Sequence, residues 1–207
     1  MKKLMILLPF FVVVACSRSF EKDYKVVDAS HKEIPEWVTD MHEWLDDEVD
    51  SDDLKENRFY IYQSEAKNSR EISCKIAKAE STASVASEIS TFIKDTFAKS
   101  KQGDASSTNE ALSEYIQNDL YKEVKATITG VQEYRQYWEK RRFMQEEGAA
   151  KDWEGYVCSV LVKVPKSHLK KAFERTEKLL ANQLKSDSES QEKVTKMMQE
   201  ASNEYTK

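Results

Sequence analysis

The chain has 207 residues, of which 40% are hydrophobic and 33% charged, and its formal net charge at pH 7 is −5. This acidic balance argues against a nucleic-acid-binding protein, which needs a basic surface, and leaves no polybasic patch for anionic lipid head groups. Four glycines and three prolines are few for this length, which favours long regular elements over many tight turns.

The first sixteen residues have the pattern of an export signal. Lys2 and Lys3 precede an apolar run, 4–14. The run is too short for a membrane-spanning helix, which needs about 20 residues, but it suits a secretory signal peptide. It closes on Val-Val-Ala-Cys at 13–16, a small apolar triplet followed by cysteine. The sequence therefore predicts a signal peptide over residues 1–15.

The closing tetrapeptide resembles the lipobox of bacterial lipoproteins. The resemblance implies that Cys16 receives a diacylglyceryl group, becomes the first residue after cleavage and is then acylated on its amine. Two or more acyl chains anchor a protein stably where one is marginal. Residues 16–34 are then expected to be the lipidated cysteine and a polar tether. Ser17, in place of an aspartate, favours the outer membrane, with the domain facing the periplasm.

Residues 35–185 are expected to form one domain. Its first segment, Pro-Glu-Trp-Val at 35–38, is interpreted as a short docking segment. The acidic stretch 46–53 lacks the central glycine of an EF-hand calcium loop, so we interpret it as a solvated loop. The aromatic and β-branched run 59–62 predicts a strand.

A long helix is predicted from about 69 to 100, because apolar residues recur there at three- and four-residue steps. The stripe consists of Ile72, Ile76, Ala79, Ala83, Ala86, Ile93 and Phe97. A second apolar strip on the opposite side consists of Val85, Ile89 and Phe92. The second strip indicates that another helix, a second subunit or an apolar ligand covers the back of this helix.

The remainder is predicted as a helix, a hairpin and a final helix. The helix runs from 108 to about 122, and two strands over 124–138 and 156–164 then form a long antiparallel hairpin with a bulge or bend at Gly130. After the final helix, residues 186–207 form a polar helical tail with weak heptad-like spacing, which leaves homo-oligomerisation open. The fold class is therefore α+β, a small antiparallel sheet with helices packed on one face.

Three segments resemble the LPP-twenty family of small bacterial lipoproteins and the related N-terminal domain of the flagellar T-ring protein. They are Pro35-Glu36-Trp37-Val38, Ala77-Lys78-Ala79-Glu80 with the apolar positions that lead to Ile93, and Tyr156 to Pro165. The resemblance implies a small α+β domain with helices on one face of an antiparallel sheet. It also implies periplasmic or surface scaffolding, sometimes flagellar, without catalysis.

Two cysteines follow the lipobox, Cys74 and Cys158. In an exported protein two cysteines can pair. Cys158 faces the predicted core, whereas the 100° step of a helix places Cys74 on the far side of the alanine stripe. A disulfide and two separate thiols therefore stay open as alternatives.

The sequence offers no pattern of a catalytic or metal-binding site. His31, His42 and His168 have no partner at metal-ligand spacing, and a phosphate-binding loop and a nucleophile elbow are both absent from the sequence. We therefore predict no catalytic residue, no metal and no cofactor.

The predicted hairpin is the best candidate for a contact with a protein partner. Aromatic and basic residues crowd there, namely Tyr134, Tyr137, Trp138, Arg141, Arg142 and Trp153. Such aromatic residues can form a protein-binding face or simply stabilise a sheet as cross-strand pairs. The two arginines predict a basic island on an acidic protein.

The leading hypothesis is a non-enzymatic, lipid-anchored interaction module of the bacterial envelope that binds another envelope protein or itself. The first alternative is an activator or accessory of cell-wall enzymes, for which a cleft with a perturbed carboxylate or histidine would argue. The second is a carrier of an apolar ligand, for which a pocket lined by Val85, Ile89 and Phe92 would argue.

Overall fold

The computed structural model describes residues 23–101, 118–183 and 188–207, together with Glu114 and Ile116. The predicted signal peptide and Cys16 lie outside the described residues. Four strands form one antiparallel sheet in the order β1-β3-β4-β2. They are β1 (Tyr24–Ala29), β2 (Asn57–Gln63), β3 (Gln132–Phe143) and β4 (Trp153–Pro165). The predicted α+β class is confirmed.

In the described part of the chain, three short helices lie between β1 and β2, two helices lie between β2 and β3, and two follow β4. They are α1 (Glu36–Thr39), α2 (Met41–Glu48), α3 (Ser51–Glu56), α4 (Arg70–Lys101), α5 (Leu120–Thr127), α6 (Lys166–Gln183) and α7 (Ser188–Tyr205). A short 3-10 turn, Gln145–Glu147, lies in the connection from β3 to β4. The predicted hairpin of two long strands is thus present, and its second strand matches the prediction closely.

Helices pack on both faces of the sheet. The face covered by α4, α5, α6 and α7, here called the long-helix face, holds the larger core, in which Val160 of β4 packs with Phe173 of α6. The opposite face, here called the short-helix face, is partly covered by α1 to α3, where Trp37 and Trp44 pack with Leu161 of β4. The sequence predicted helices on one face only and did not predict that α1 to α3 cover part of the other face.

The acidic stretch 46–53 is largely helical, so its interpretation as a loop is wrong. Asp40 and Asp50 accept backbone N–H bonds from the first turns of α2 and α3 and cap those helices. Asp53 forms an ion pair with Lys163 of β4 at 2.9 Å. The carboxylates therefore start the short helices and tie one of them to the sheet.

The second half of the expected tether is a strand of the sheet. β1 pairs antiparallel with β3, and its register shifts between Val26 and Asp28. Val27 is the extra residue of a β-bulge at this point. A bulge interrupts the alternation of side chains along a strand, which explains why the periodicity of the sequence does not reveal β1.

Residues 124–129 do not form the predicted strand. α5 continues to Thr127, with Leu120 and Val124 both fully buried one turn apart. Apolar residues four positions apart fit a helix. A run of only six residues with alternating polarity is too short to distinguish a strand from a helix. Gly130 has a φ of +75°, a left-handed backbone conformation in the connection from α5 to β3.

The expected C-terminal tail is part of the domain. α7 confirms the predicted helix, and its buried residues join the core of the long-helix face. They are Val194, Met197, Met198, Ala201 and Tyr205. The core therefore extends across the boundary that the sequence placed between 185 and 186.

The predicted stripe of α4 is correct only for its later turns. There it is buried at Ala83, Ala86, Ile93 and Phe97. In the first turns Ile72 is 53% exposed and Ala79 is also exposed, while Ser73, Cys74 and Ala77 are buried. Because a buried serine does not register as an apolar position, the apolar pattern gives the wrong phase at this end.

Candidate interaction surface

The six hairpin residues expected to form one contact surface lie on two faces of the sheet. Tyr137, Arg141 and Trp153 belong to the short-helix face, Trp138 and Arg142 belong to the long-helix face, and Tyr134 lies at an irregularity in the register. Consecutive residues of a strand point to opposite faces. The hairpin therefore does not present all six side chains to one partner.

Tyr134 packs against the short helices. Its ring lies edge-on to Phe59 at 5.3 Å and to Trp44 at 6.3 Å between centroids. Lys163 Nζ lies 5.1 Å from the centre of the same ring. These contacts hold α2 against the sheet, which gives Tyr134 a structural role.

Tyr137 and Arg141 hold a buried carboxylate. Glu139 is only 3% exposed, and a buried charge is costly unless it is paired. The Tyr137 hydroxyl donates to Glu139 Oε2 at 3.1 Å, and Arg141 Nε donates to Oε1 at 2.5 Å. Burial, followed by the charge of Glu139, raises the pKa of Tyr137 to about 12. Both predicted contact residues are thus occupied within the chain.

Arg142 also has an internal partner, so the expected basic island is neutralised. Its guanidinium donates to Glu154 Oε1 through Nε at 2.8 Å and Nη2 at 2.6 Å. Lys140 forms an ion pair with the other oxygen of Glu154. Hydrogen bonds from Lys140 and then Arg142 lower the pKa of Glu154. Together with the pairing of Arg141 to Glu139, this leaves the hairpin without an uncompensated arginine pair.

Trp138 lies on the long-helix face, where it is partly buried against the core. Its ring centre is 6.0 Å from that of Tyr156 on β4 and 5.0 Å from the Arg70 guanidinium carbon at the start of α4. The contact joins β3, β4 and α4, so Trp138 stabilises the fold at this end.

Trp153 is part of a row of aromatic rings that spans three neighbouring strands. It stacks on Phe143 at 4.6 Å with an interplanar angle of 10°, and Phe143 contacts Tyr24 of β1 at 5.6 Å. The Arg141 guanidinium carbon lies 4.1 Å from the centre of the Tyr24 ring. Of the two roles considered for the hairpin aromatics, the structure shows the cross-strand contacts.

Cys74 and Cys158 form a disulfide, with their Cα atoms 5.0 Å apart. Cys74 is 9% exposed and Cys158 is fully buried. The bond joins the first turns of α4 to the middle of β4. The prediction that Cys74 lies on the far side of the alanine stripe, away from the core, is wrong, because the buried face of α4 begins at Ser73 and Cys74.

A second network of hydrogen-bonded side chains lies at the edge of the core beside β2. The hydroxyls of Tyr60 and Tyr205 lie 3.1 Å apart, and that of Tyr205 donates to Glu88 Oε1 at 3.0 Å. The Arg58 guanidinium stacks on the Tyr205 ring at 3.9 Å and bonds the Tyr205 carbonyl oxygen. Burial raises the pKa of Tyr60 to about 12 and also raises that of Tyr205. The network fixes α7 to β2 and α4.

We expect the protein to lose stability between about pH 10 and about pH 12. Tyr60 and Tyr137 have a pKa of about 12 in the folded chain and about 10 when unfolded. Each therefore binds its proton more tightly when folded, so its contribution is complete below about pH 10 and is lost as the pH rises toward 12. For each residue, a pKa difference of about two corresponds to roughly 3 kcal/mol at most.

Urea unfolding at about pH 9 and about pH 11.5 checks this expectation. Tyr60→Phe and Tyr137→Phe should each reduce the loss between the two pH values, because phenylalanine does not titrate. Comparison with the double variant removes the contribution of the lysines, which titrate in the same range. An equal loss in the wild type and the double variant would show that these tyrosines do not carry the effect.

The second apolar strip of α4 is covered by the chain itself. Val85 and Ile89 are fully buried, and Phe92 contacts Phe173 of α6 at 6.5 Å and Tyr205 of α7 at 5.1 Å between ring centroids. The prediction that another helix lies on the back of α4 is confirmed.

The histidines pack against neighbouring residues or lie on the surface. His168 Nδ1 lies 3.0 Å from Thr129 Oγ1, and the His31 ring stacks on Tyr137 at 6.4 Å, while His42 is exposed. In the part of the chain that the structure describes, no group of three His, Cys, Asp or Glu side chains is placed to hold a metal ion. The helices described there include none with the length and apolar character needed to cross a membrane.

The edge of β1 is an exposed apolar surface that was not predicted from the sequence. Val26 and Val27 are 44% and 42% exposed, and Ile34, a few residues after the strand, is 40% exposed. A valine pair between a lysine and an aspartate is only a weak indication of a strand. The segment was therefore assigned to the tether.

Comparisons with known proteins do not add a family. A scan against protein-family models gives no match, and searches of curated proteins and of solved structures also find none. The resemblance to the LPP-twenty family therefore stays a prediction from the sequence, and function is argued from the chain itself.

Proposed function

We propose that this chain is a lipid-anchored, non-enzymatic scaffold of a bacterial envelope. Acyl chains on Cys16 hold it at the outer membrane, and its α+β domain faces the periplasm. The observation that carries the proposal is the basic start, short apolar run and Val-Val-Ala-Cys ending of residues 1–16, which combine a signal peptide with a lipidation site.

The disulfide is an independent argument for export. Disulfides form and persist in oxidising compartments such as the periplasm, whereas cytosolic thiols are generally kept reduced. Cys74 and Cys158 are 84 residues apart in the sequence, and the fold brings them together in its core. A covalent bond at this position suits a protein that folds after export.

The position of β1 supports a domain that lies close to its anchor. Eight peptide steps separate Cys16 from Tyr24, the first residue of β1, and this length of chain spans at most about 28 Å. Tyr24 pairs with Phe143 at the end of β3. The domain is therefore expected to lie beside the membrane surface, with the end of the hairpin near the anchor.

The arrangement of ionisable side chains favours a scaffold over an enzyme. Glu139 is enclosed by Tyr137 and Arg141, and Glu88 is bonded to Arg58 and Tyr205. Glu139 and both of its partners lie on β3, where the carboxylate is buried. Glu88 of α4 lines a surface groove and is bonded there to β2 and α7, so its contacts join elements of the fold.

Crosslinking in cells, followed by affinity purification and mass spectrometry, tests the scaffold role. The wild type should recover a defined set of envelope proteins, and Cys16→Ala should lose them because the domain is no longer held at the membrane. Basal-body proteins in the set would support the flagellar setting implied by the resemblance, and wall-synthesis enzymes would instead support the activator alternative. Equal recovery by both forms would contradict a role for the anchor.

A further inference from the structure

The outer edge of β1 offers a strand-pairing surface. β1 is the first strand of the sheet order, and within the described ranges no strand lies beyond it. Ser30 N donates to Trp138 O of β3, so the alternation of an antiparallel ladder turns the N–H of the preceding Ala29 away from β3. Exposed edges of this kind are templates for pairing with another strand.

The bulge gives this edge an unusual arrangement of charge. Lys25 pairs with Arg142 of β3, and Asp28 pairs with Lys140. Arg142 and Lys140 are two residues apart and so lie on one face of β3. Lys25 and Asp28 consequently share that face, although their separation by three residues would place them on opposite faces of a regular strand.

We propose that the β1 strands of two copies of this chain pair antiparallel across this edge. The two-fold axis passes between Val26 and Val27. Lys25 then lies opposite Asp28 of the second copy, and the same pair recurs on the other side of the axis, while Val26 lies opposite Val27 of the second copy. A two-fold interface must be complementary to itself, and this register satisfies both charge and apolar contact.

The bulge is necessary for this register. Residues directly opposite each other in an antiparallel pair point to the same face. In a strand without Val27 as an extra residue, Lys25 and its opposite aspartate would point to different faces. Although a bulge commonly discourages edge pairing, here it makes the edge complementary to a copy of itself.

The contacts that Lys25 and Asp28 already make can be exchanged for the new ones. Lys25 Nζ is 2.8 Å from Glu147 Oε1, but the lysine side chain remains 64% exposed. Asp28 Oδ1 accepts from the N–H of Ala29 at 2.9 Å on the exposed edge. When Asp28 turns to the lysine of the second copy, the N–H of Ala29 becomes a donor for the opposing strand.

The inference names the partner of the proposed scaffold and rests on the proposed lipid anchor. A strand of six residues buries less than the roughly 1,600 Å² of a standard interface, so the pairing is weak between free molecules. Anchoring both copies in one membrane raises their effective concentration. The two β1 strands start about 17 Å apart, which is within the reach of their anchors.

Co-expression of two tagged lipoprotein chains tests the register, one with Val26→Cys and the other with Val27→Cys. We expect a disulfide-linked heterodimer in the membrane fraction, because these positions lie opposite each other. A matched pair, Val26→Cys with Ile72→Cys, joins two positions that are also exposed and apolar but lie on different elements, and should give at least five-fold less product.

Charge reversal adds a second requirement. Lys25→Glu or Asp28→Lys, introduced into both chains, should reduce the crosslinked product at least five-fold, and the double reversal should restore it to within two-fold. Unchanged product in the single reversals, or failure of the double reversal to recover, would overturn the pairing.

The same fractionation separates this inference from the proposed function. Membrane-bound chains that form no self-crosslink, or that crosslink through Val26→Cys only to a different protein, would overturn the pairing and leave the anchor in place. Loss of the wild-type chain from the membrane fraction would overturn the anchor and the pairing that depends on it.

Discussion

Replacement of both Cys74 and Cys158 by alanine is expected to lower the free energy of unfolding by about 4.5 kcal/mol. The disulfide closes a loop of 84 residues, and in the chain-entropy description a loop of this length restricts the unfolded chain by about that amount. The effect is large against the roughly 5–15 kcal/mol that stabilises a typical domain. Urea unfolding of the wild type and the variant measures this difference in the free energy of unfolding by linear extrapolation to zero denaturant.

The reduced wild-type protein is the matched control. Dithiothreitol should lower the stability of the wild type toward that of the double variant and should leave the variant nearly unchanged. Alkylation of the unfolded, unreduced protein should find neither Cys74 nor Cys158 as a free thiol. Free thiols at both positions in protein purified from the membrane fraction would contradict the disulfide and weaken the argument for export.

Arg141→Met is expected to destabilise the protein by about 3 kcal/mol. The substitution keeps most of the aliphatic side chain but leaves the Glu139 carboxylate buried without its cation, and breaking a buried ion pair in this way typically costs about 3–5 kcal/mol. The side chains of the pair are 15% and 4% exposed, so solvent screens the interaction little. Chemical denaturation at neutral pH measures the change.

Arg142→Met provides the comparison at the neighbouring position. Its side chain is 55% exposed in the pair with Glu154, and an exposed ion pair contributes at most about 1 kcal/mol. Combining Arg141→Met with Glu139→Gln should recover part of the loss, because the unpaired charge is removed. Equal effects of the two arginine substitutions, with no recovery in the double variant, would contradict the buried network.

Strands could be predicted from the sequence where side chains alternate without interruption. In β4, Cys158, Val160 and Val162 face the larger core and Lys163 points away, as predicted. β1 could not be predicted in this way, because the extra residue Val27 interrupts its alternation. The stability of β1 also depends on pairing with β3, which is more than a hundred residues away in the sequence.

Helix boundaries and phases could be predicted only in part, because buried polar residues and short apolar patterns are ambiguous. Ser73 and Ser81 lie on the buried face of α4, yet an apolar count ignores them. Val124 and Ile128 satisfy both a strand period and a helical turn, and burial against α4 and α6 selects the helix. Tertiary packing, rather than local preference, decides both elements.

The division of the hairpin residues between two faces was predictable in principle. Tyr137 and Trp138 are consecutive, as are Arg141 and Arg142, and consecutive strand residues must point in opposite directions. The burial of Glu139 and the partner of Arg142 were not predictable. The burial of Glu139 and the two contacts to Glu154 depend on the register between β3 and β4, which the sequence does not specify to the residue.

Metabolic labelling with an alkyne fatty acid, combined with membrane fractionation, tests the lipid anchor most directly. We expect the wild-type protein to carry the label and to sediment with the outer membrane, and Cys16→Ala to lose the label while its Cys74–Cys158 disulfide reports that the domain still folds. An unlabelled wild-type protein, or label that persists in Cys16→Ala, would contradict the anchor at Cys16 and the scaffold role built on it.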